Sequence, residues 1–291
     1  MTRIAGWLRI PAALPWRVLY GLSGVLAWLL RAVVRFRVAI VRENLQRCFT
    51  EMDGATRDAV VARHYRDMTG AALEMFKLAV LDADELRARV VLRNPEVLHA
   101  ELQAGRNVMV LNAHQGNWEW LLQRMALEYQ PFICAYKPLR SERFERDMLA
   151  LRSRFGAQMV PAKGLLRALL RTRVPHVAGM AADQMPRSSP SRVWLPFMGQ
   201  ITAFYPGPGE IAVRYGYGAW FLATERVANG RYEVELQPIA AAGEQLDATE
   251  FTRRYAARVE AQLRRAPSDW AWGHRRWKLE PPVDLAGGTR A

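Results

Sequence analysis

The stretch NAHQGNWEW, Asn112 to Trp120, sets a histidine, a glycine and a glutamate close together behind the apolar run NVMVL. His114 and Glu119 are the residue types of a proton-transfer pair. A neutral imidazole accepts a proton through one nitrogen while a carboxylate holds the other N–H and stabilises the imidazolium. That arrangement activates a hydroxyl for attack on an acyl carbonyl, and no Ser or Cys nucleophile is needed when the acceptor's own hydroxyl attacks. The chain has no G-x-S-x-G elbow, which argues against an ordinary serine hydrolase. Spacing limits how the pair can meet. On one continuous helix, positions five apart point about 140° from each other. They cooperate only if His114 sits in a strand-to-helix loop and Glu119 in the first helical turn. Gly116 permits the tight backbone this needs, and Asn117 suits the N-cap. A polar loop without chemistry is the competing reading of the same residues.

The surrounding elements must supply that geometry. Asn107 to Leu111 reads as a short strand and NWEWLLQRMALEY as the helix after it. Phe132 to Tyr136 and His176 to Ala182 read as further strands, with a brief one at Met159-Val160. Helices are expected from Thr56 to about Val80, Ser141 to Phe155, Lys163 to Arg171 and around Phe251 to Leu263, with part of a short one at Ile211 to Tyr215. His64 falls on the apolar face of the first of these and reads as a packed core histidine. Ala219 to Val227 and Arg231 to Pro238 flank Asn229-Gly230, a strong hairpin signal. The fold class expected is α/β, with a mixed, mostly parallel central sheet flanked by helices. A base at the carboxyl end of a strand is where open α/β sheets place their sites.

Composition narrows the partners. The 291 residues are 51% hydrophobic, carry a formal net charge of +13 and include ten tryptophans. A chain this basic favours acidic partners: nucleic acid, an anionic membrane surface or an acidic carrier protein. No zinc-finger spacing, RNA-recognition aromatic motif or basic heptad array is present, so no nucleic-acid partner is expected. The apolar content and the tryptophans favour a membrane interface. Cys48 and Cys134 form neither a metal spacing nor a CxxC pair and read as core residues.

Val18 to Leu30 carries no charge and lies between Arg17 and Arg31. It is shorter than the about 20 residues of a spanning helix, and no signal-peptidase site follows it. The better reading is a helix lying in the interface, with Trp7, Trp16 and Trp28 at headgroup depth and the flanking arginines, Arg3 to Arg37, reaching phosphates. Residues 1–40 are therefore expected to form an N-terminal membrane-anchoring helical segment, 41–280 the catalytic domain, and 281–291 a loose tail.

HQGNWE resembles the motif of glycerolipid-type acyltransferases, a histidine and an acidic residue separated by four positions. Other blocks follow in the order found in lipid A biosynthesis acyltransferases of the late, lauroyl and myristoyl type, a branch of the lysophospholipid acyltransferase-like superfamily. They are RENLQRCF from Arg42, YKP at Tyr136, LRSRFGA at Leu151, ADQMPRSSPSRVWLPFMG at Ala182 and WAWGHRRWK at Trp270. The resemblance implies that His114 is the general base and Glu119 its orienting partner. It implies that Arg152 binds a phosphate or stabilises the oxyanion, and that Asp183 supports that arginine or the substrate. Asn117 is grouped with these as substrate-binding. WAWGHRRWK is expected to be structural or to lie near a phosphorylated acceptor. The donor implied is an acyl thioester of acyl carrier protein or CoA, and the acceptor a lipid A precursor or related glycolipid. No metal or organic cofactor is implied, and the location is the cytoplasmic face of a bacterial inner membrane. Lys137 stands where many members have Arg, DQM where some have a second acidic residue, and FMGQITAFYPGPGE lacks their threonine-rich stretch. These departures bear on the acceptor. A different acceptor amphiphile and a thioesterase or lipid hydrolase using the same pair are the rival readings, with a non-catalytic membrane or nucleic-acid binder behind them.

Overall fold

The computed structural model describes residues 5–186 and 191–286. In chain order the elements are α1 (Gly6–Ala12), α2 (Trp16–Trp28) continued by a π-helical turn (Leu29–Val33), α3 (Val38–Cys48), α4 (Gly54–Lys77), α5 (Ala83–Arg89), β1 (Val90–Leu92), α6 (Glu96–Gln103), β2 (Val108–Asn112), α7 (Trp118–Glu128), β3 (Phe132–Tyr136), α8 (Glu142–Arg152), β4 (Gln158–Pro161), α9 (Leu165–Arg171), β5 (Val177–Ala181), β6 (Val193–Phe197), β7 (Gln200–Phe204), α10 (Gly207–Tyr215), β8 (Gly218–Ala228), β9 (Arg231–Ala240), α11 (Ala248–Arg265) and α12 (Val283–Ala286).

The sheet follows the order β1-β9-β8-β2-β5-β3-β4, with every neighbouring pair parallel except the β8–β9 hairpin. The central strands are continuous apolar runs because helices cover both faces. Alternation sorts their side chains. Met109, Leu111, Ala178 and Met180 face α3, α4, α9 and α11, whereas Val108, Val110, Val177 and Leu222 face α5, α6, α7 and α8. Parallel pairing brings the carboxyl ends of β2, β3 and β5 to one edge of the sheet. β6 and β7 form a separate antiparallel pair.

The mixed, mostly parallel α/β sheet matches the expectation from sequence. His64 is buried and its Nδ1 lies 3.0 Å from the Ser268 carbonyl oxygen, a core position. Both cysteines are buried and unbridged. Of the expected tail, 283–286 form the short α12 and 287–291 lie outside the described residues, as do Arg3 and positions 187–190 of the ADQMPRSSPSRVWLPFMG block.

The N-terminal segment packs closely on the rest of the chain. Leu8, Ala12, Leu19 and Ala27 are buried, and Trp7 Nε1 donates to Asp147 Oδ2 on α8 at 2.8 Å. Trp16 turns inward, edge-on to Trp120 with 5.9 Å between centroids, and Trp7 is half held against Phe76 and Phe144, so Trp28 is the tryptophan of the three that faces outward. Among the described residues no single helix is long and apolar enough to cross a membrane; α1 and the α2–π stretch pass only as a pair, bent by 96°.

Candidate active site

β2 ends at Asn112 and α7 begins at Trp118, so His114 lies in the connecting loop and Glu119 in the first helical turn, as the spacing requires. Gly116 has φ +58°, and a Cβ there would come within 3.3 Å of Thr224 Cγ2. Glycine satisfies both conditions at once. Asn117 is the N-cap: its Oδ1 accepts from Trp120 N at 3.0 Å, and its Nδ2 donates to the fully buried Glu74 at 2.9 Å.

A distant segment clamps this loop from behind. Gly116 N donates to Asp269 O at 3.1 Å, Ala271 N donates to His114 O at 3.0 Å, and Gln115 forms an isolated bridge with Trp270. These residues belong to WAWGHRRWK or directly precede it, so that block reaches the histidine loop itself. No local pattern around His114 signals it.

The carboxylate on His114 is Asp183. His114 Nδ1 lies 2.7 Å from Asp183 Oδ1, and the His114 backbone N donates to Oδ2 at 2.9 Å. Trp270 Nε1 also donates to Oδ2, at 2.7 Å. An ionised carboxylate only accepts, so Nδ1 carries the proton and Nε2 is left with its lone pair. Asp183 is 1% exposed and sits two residues beyond β5, while the His114 side chain keeps 27% of its surface open, edge-on to Trp118.

This corrects the expected pairing. Glu119 is not hydrogen-bonded to His114; it accepts a two-pronged grip from Arg152, Nε to Oε2 at 2.8 Å with Nη2 to Oε1 beside it. Nor does Asp183 support Arg152. The carboxylates take partners other than those expected: the nearer one in sequence is committed to the arginine of α8, and the farther one arrives at the imidazole because β5 pairs directly with β2.

Electrostatics follow the geometry. Burial works against a charged His114, but the charge and hydrogen bond of Asp183, with the charge of Glu119, outweigh it and raise the imidazole above its ordinary pKa. Burial likewise opposes ionisation of Asp183, yet His114 and the donors on both oxygens bring it down to about 2. Arg152 is held above its usual range: burial lowers it, and Glu119 more than restores it.

His114, Glu119 and Arg152 line a pocket of about 370 Å³ between α7 and the sheet, whose inner wall is apolar (Val110, Leu121, Met125, Phe132). A larger cleft of about 660 Å³ lies behind the loop, lined by charged groups including Arg63, Arg226 and Asp269, and does not contain His114. Among the described residues no three His, Cys, Asp or Glu side chains converge as a metal set. Arg276 is 1% exposed; its guanidinium has no hydrogen-bond partner among the described residues and lies 4.5 Å over the Phe204 ring, and burial lowers its pKa to about 10.

The sequence pattern of the bacterial lipid A biosynthesis acyltransferases matches residues 3–279. The chain belongs to that family. It is an acyltransferase, and its relatives are named for glycolipid acyl transfer. The phosphatidylinositol mannoside acyltransferase of Mycolicibacterium smegmatis is 25% identical over 301 residues, covering 99% of this chain and 92% of that protein. Two Escherichia coli proteins, the lipid A biosynthesis lauroyltransferase and palmitoleoyltransferase, are 26% and 22% identical over 95% and 94% of this chain and 90% and 89% of theirs.

Proposed function

We propose that this acyltransferase moves a fatty acyl chain from a thioester, carried by acyl carrier protein or CoA, to a hydroxyl of a lipid A precursor or related glycolipid. The observation that carries the reading is His114, its Nδ1 tied to buried Asp183 and its partly exposed side chain lining a largely apolar pocket. His114 Nε2 takes the proton of the acceptor hydroxyl, and the oxygen attacks the thioester carbonyl. The C–S bond breaks as the tetrahedral intermediate collapses, and the departing thiolate takes the proton back from the imidazolium. Asp183 holds the ring and stabilises its charged form. Arg152, braced by Glu119, lines the same pocket and is suited to an acceptor phosphate or the developing oxyanion.

The relatives' names support a glycolipid acceptor, since both a mannosylated inositol lipid and lipid A occur among them. The +13 charge favours encounter with an acidic carrier, an effect that fades with salt. The apolar outer surface of α1 and α2 supports attachment to a membrane, and the face proposed is the cytoplasmic one of a bacterial inner membrane.

The test is mass spectrometry of glycolipids from a host lacking late acylation, expressing the protein or its His114→Ala variant. One added acyl group on lipid A, dependent on His114, is expected, and turnover in the variant should fall by about 10²–10⁴-fold. A new mass on another lipid keeps the chemistry and replaces the acceptor. Thiol release that proceeds equally well without any acceptor lipid identifies a hydrolase instead.

A further inference from the structure

The pocket beside His114 has a floor of three parallel strands whose register gives it depth. Val110 pairs with Gly179 and Gly179 with Cys134, forming one row across β2, β5 and β3; Asn112 pairs with Ala181 in the row nearer the carboxyl edge. All five of these residues line the pocket. One row further in, Phe132 pairs with Val177, and Val177 with Val108. Of that row only Phe132 lines the pocket. The cavity therefore stops at the aromatic ring.

Gly179 explains how the ring reaches that position. An ideal Cβ on Gly179 would stand 2.5 Å from Phe132 Cζ and 3.2 Å from Cε1. Without a side chain there, the ring leans across the middle row and closes the inner end of the cavity. Phe132 is 2% exposed, and Val110 and Met125 beside it are 1% and 0% exposed, so the end wall is apolar and close-packed. Such a wall yields to added length only by repacking.

We propose that Phe132, seated over Gly179, sets the length of the acyl chain this enzyme transfers. The inference rests on the acyl-transfer reading of the same site. The apolar inner part of the pocket, lined by Val110, Leu121, Met125 and Phe132, is where an acyl chain fits, and its reach ends at the Phe132 ring. A chain longer by several methylenes has no space to enter unless the ring moves. Leucine at 132 opens the end wall toward Val108 and Val177. A methyl on residue 179 projects into the middle row and shortens the space.

The experiment offers folded wild-type enzyme a ladder of saturated acyl thioesters, from octanoyl to stearoyl, on CoA and on carrier protein. The acceptor is a lipid A precursor without secondary acyl chains, and products are weighed by mass spectrometry. The wild type is expected to show one clear optimum, with yield falling at least tenfold for chains several methylenes longer. Phe132→Leu and Phe132→Ala should move the optimum to longer chains and Gly179→Ala to shorter ones. Thermal melts show which variants fold, and Phe132→Leu serves if the alanine variant does not. The position of the optimum is read rather than the rate, so a merely structural loss of activity leaves it in place. An optimum that stays put in both Phe132→Leu and Gly179→Ala, or a flat wild-type profile, overturns the inference while leaving acyl transfer intact. Absence of product from folded wild type at every chain length overturns the lipid A acceptor of the proposed function; thiol release along the same ladder then reads the optimum, and a flat release profile overturns this inference.

Discussion

A hydrogen bond from Nδ1 to an ionised, buried carboxylate makes His114 a stronger base than a free imidazole, and this has a measurable sign. The base must be neutral to accept a proton. Activity should therefore fall as pH drops through a value above the ordinary imidazole value of about 6.5. In kcat/KM against pH, Asp183→Asn should move this acid limb downward and lower the plateau; an unmoved limb would show that Asp183 does not govern the ring. Asp183 itself, with its carboxyl brought down to about 2, contributes stability that is full above the usual carboxylate range and is lost as pH falls toward about 2. Glu119 behaves differently because its partner is Arg152. Glu119→Gln leaves a largely buried guanidinium unpaired, at a cost of about 3 kcal/mol, and Glu119→Gln with Arg152→Met should recover part of it in urea titrations. Equal losses in the single and double variants would show that the ion pair carries none of the cost. The residue types of the site were legible in the sequence, but the partnerships were not. Asp183 lies 69 positions from His114, and only the β2–β5 pairing brings them together.

The strand-loop-helix element that carries His114 was readable because its devices are local: an apolar run, a glycine needing positive φ and an asparagine able to cap. Its fastening was hidden, because the clamp from Asp269 to Ala271 lies some 150 positions on and obeys no local spacing. The β6–β7 hairpin was unanticipated for a related reason. Its turn is Met198-Gly199, both with positive φ, and methionine is not a residue that advertises such a turn. β1, three residues long, is too short for alternation to register. Asn117 is the element's most testable point, since it caps α7 and also donates to Glu74, which accepts from Tyr232 as well. Asn117→Ala removes the cap, worth about 1 kcal/mol, and leaves Glu74 short of a donor, a further loss of about 1–3 kcal/mol. Asn117→Ser restores only the first, so serine should fall between wild type and alanine in denaturant midpoint. Serine no more stable than alanine would show that capping does not hold the loop.

At the scale of the whole molecule, the unexplained surface is the outer side of the N-terminal helices. Val18, Leu22, Val25 and Leu29 recur at steps of four, three and four, which places them on one stripe, and all four are exposed; Leu19, Ser23 and Ala27 turn inward. A helix with apolar residues on both its packed and its outward side is suited to lipid contact rather than to water. Trp28, Val33, Val34 and Phe36 extend the exposed apolar surface, and Arg17, Arg35 and Arg37 lie beside it, also exposed. The 96° bend between α1 and the α2–π stretch suits a segment lying along a surface better than one threaded across it. Flotation with phospholipid vesicles tests this. Binding should be strong on anionic vesicles, weaker on neutral ones, and should decline with salt as screening sets in. Arg17→Gln and Arg35→Gln should each weaken it by about fivefold, corresponding to about 1 kcal/mol per charge near the surface. Leu22→Ser with Val25→Ser should weaken binding to both kinds of vesicle, because that contribution comes from apolar burial and carries no charge. If the serine substitutions left flotation unchanged while the arginine substitutions abolished it, the stripe would not be inserted and attachment would be electrostatic alone.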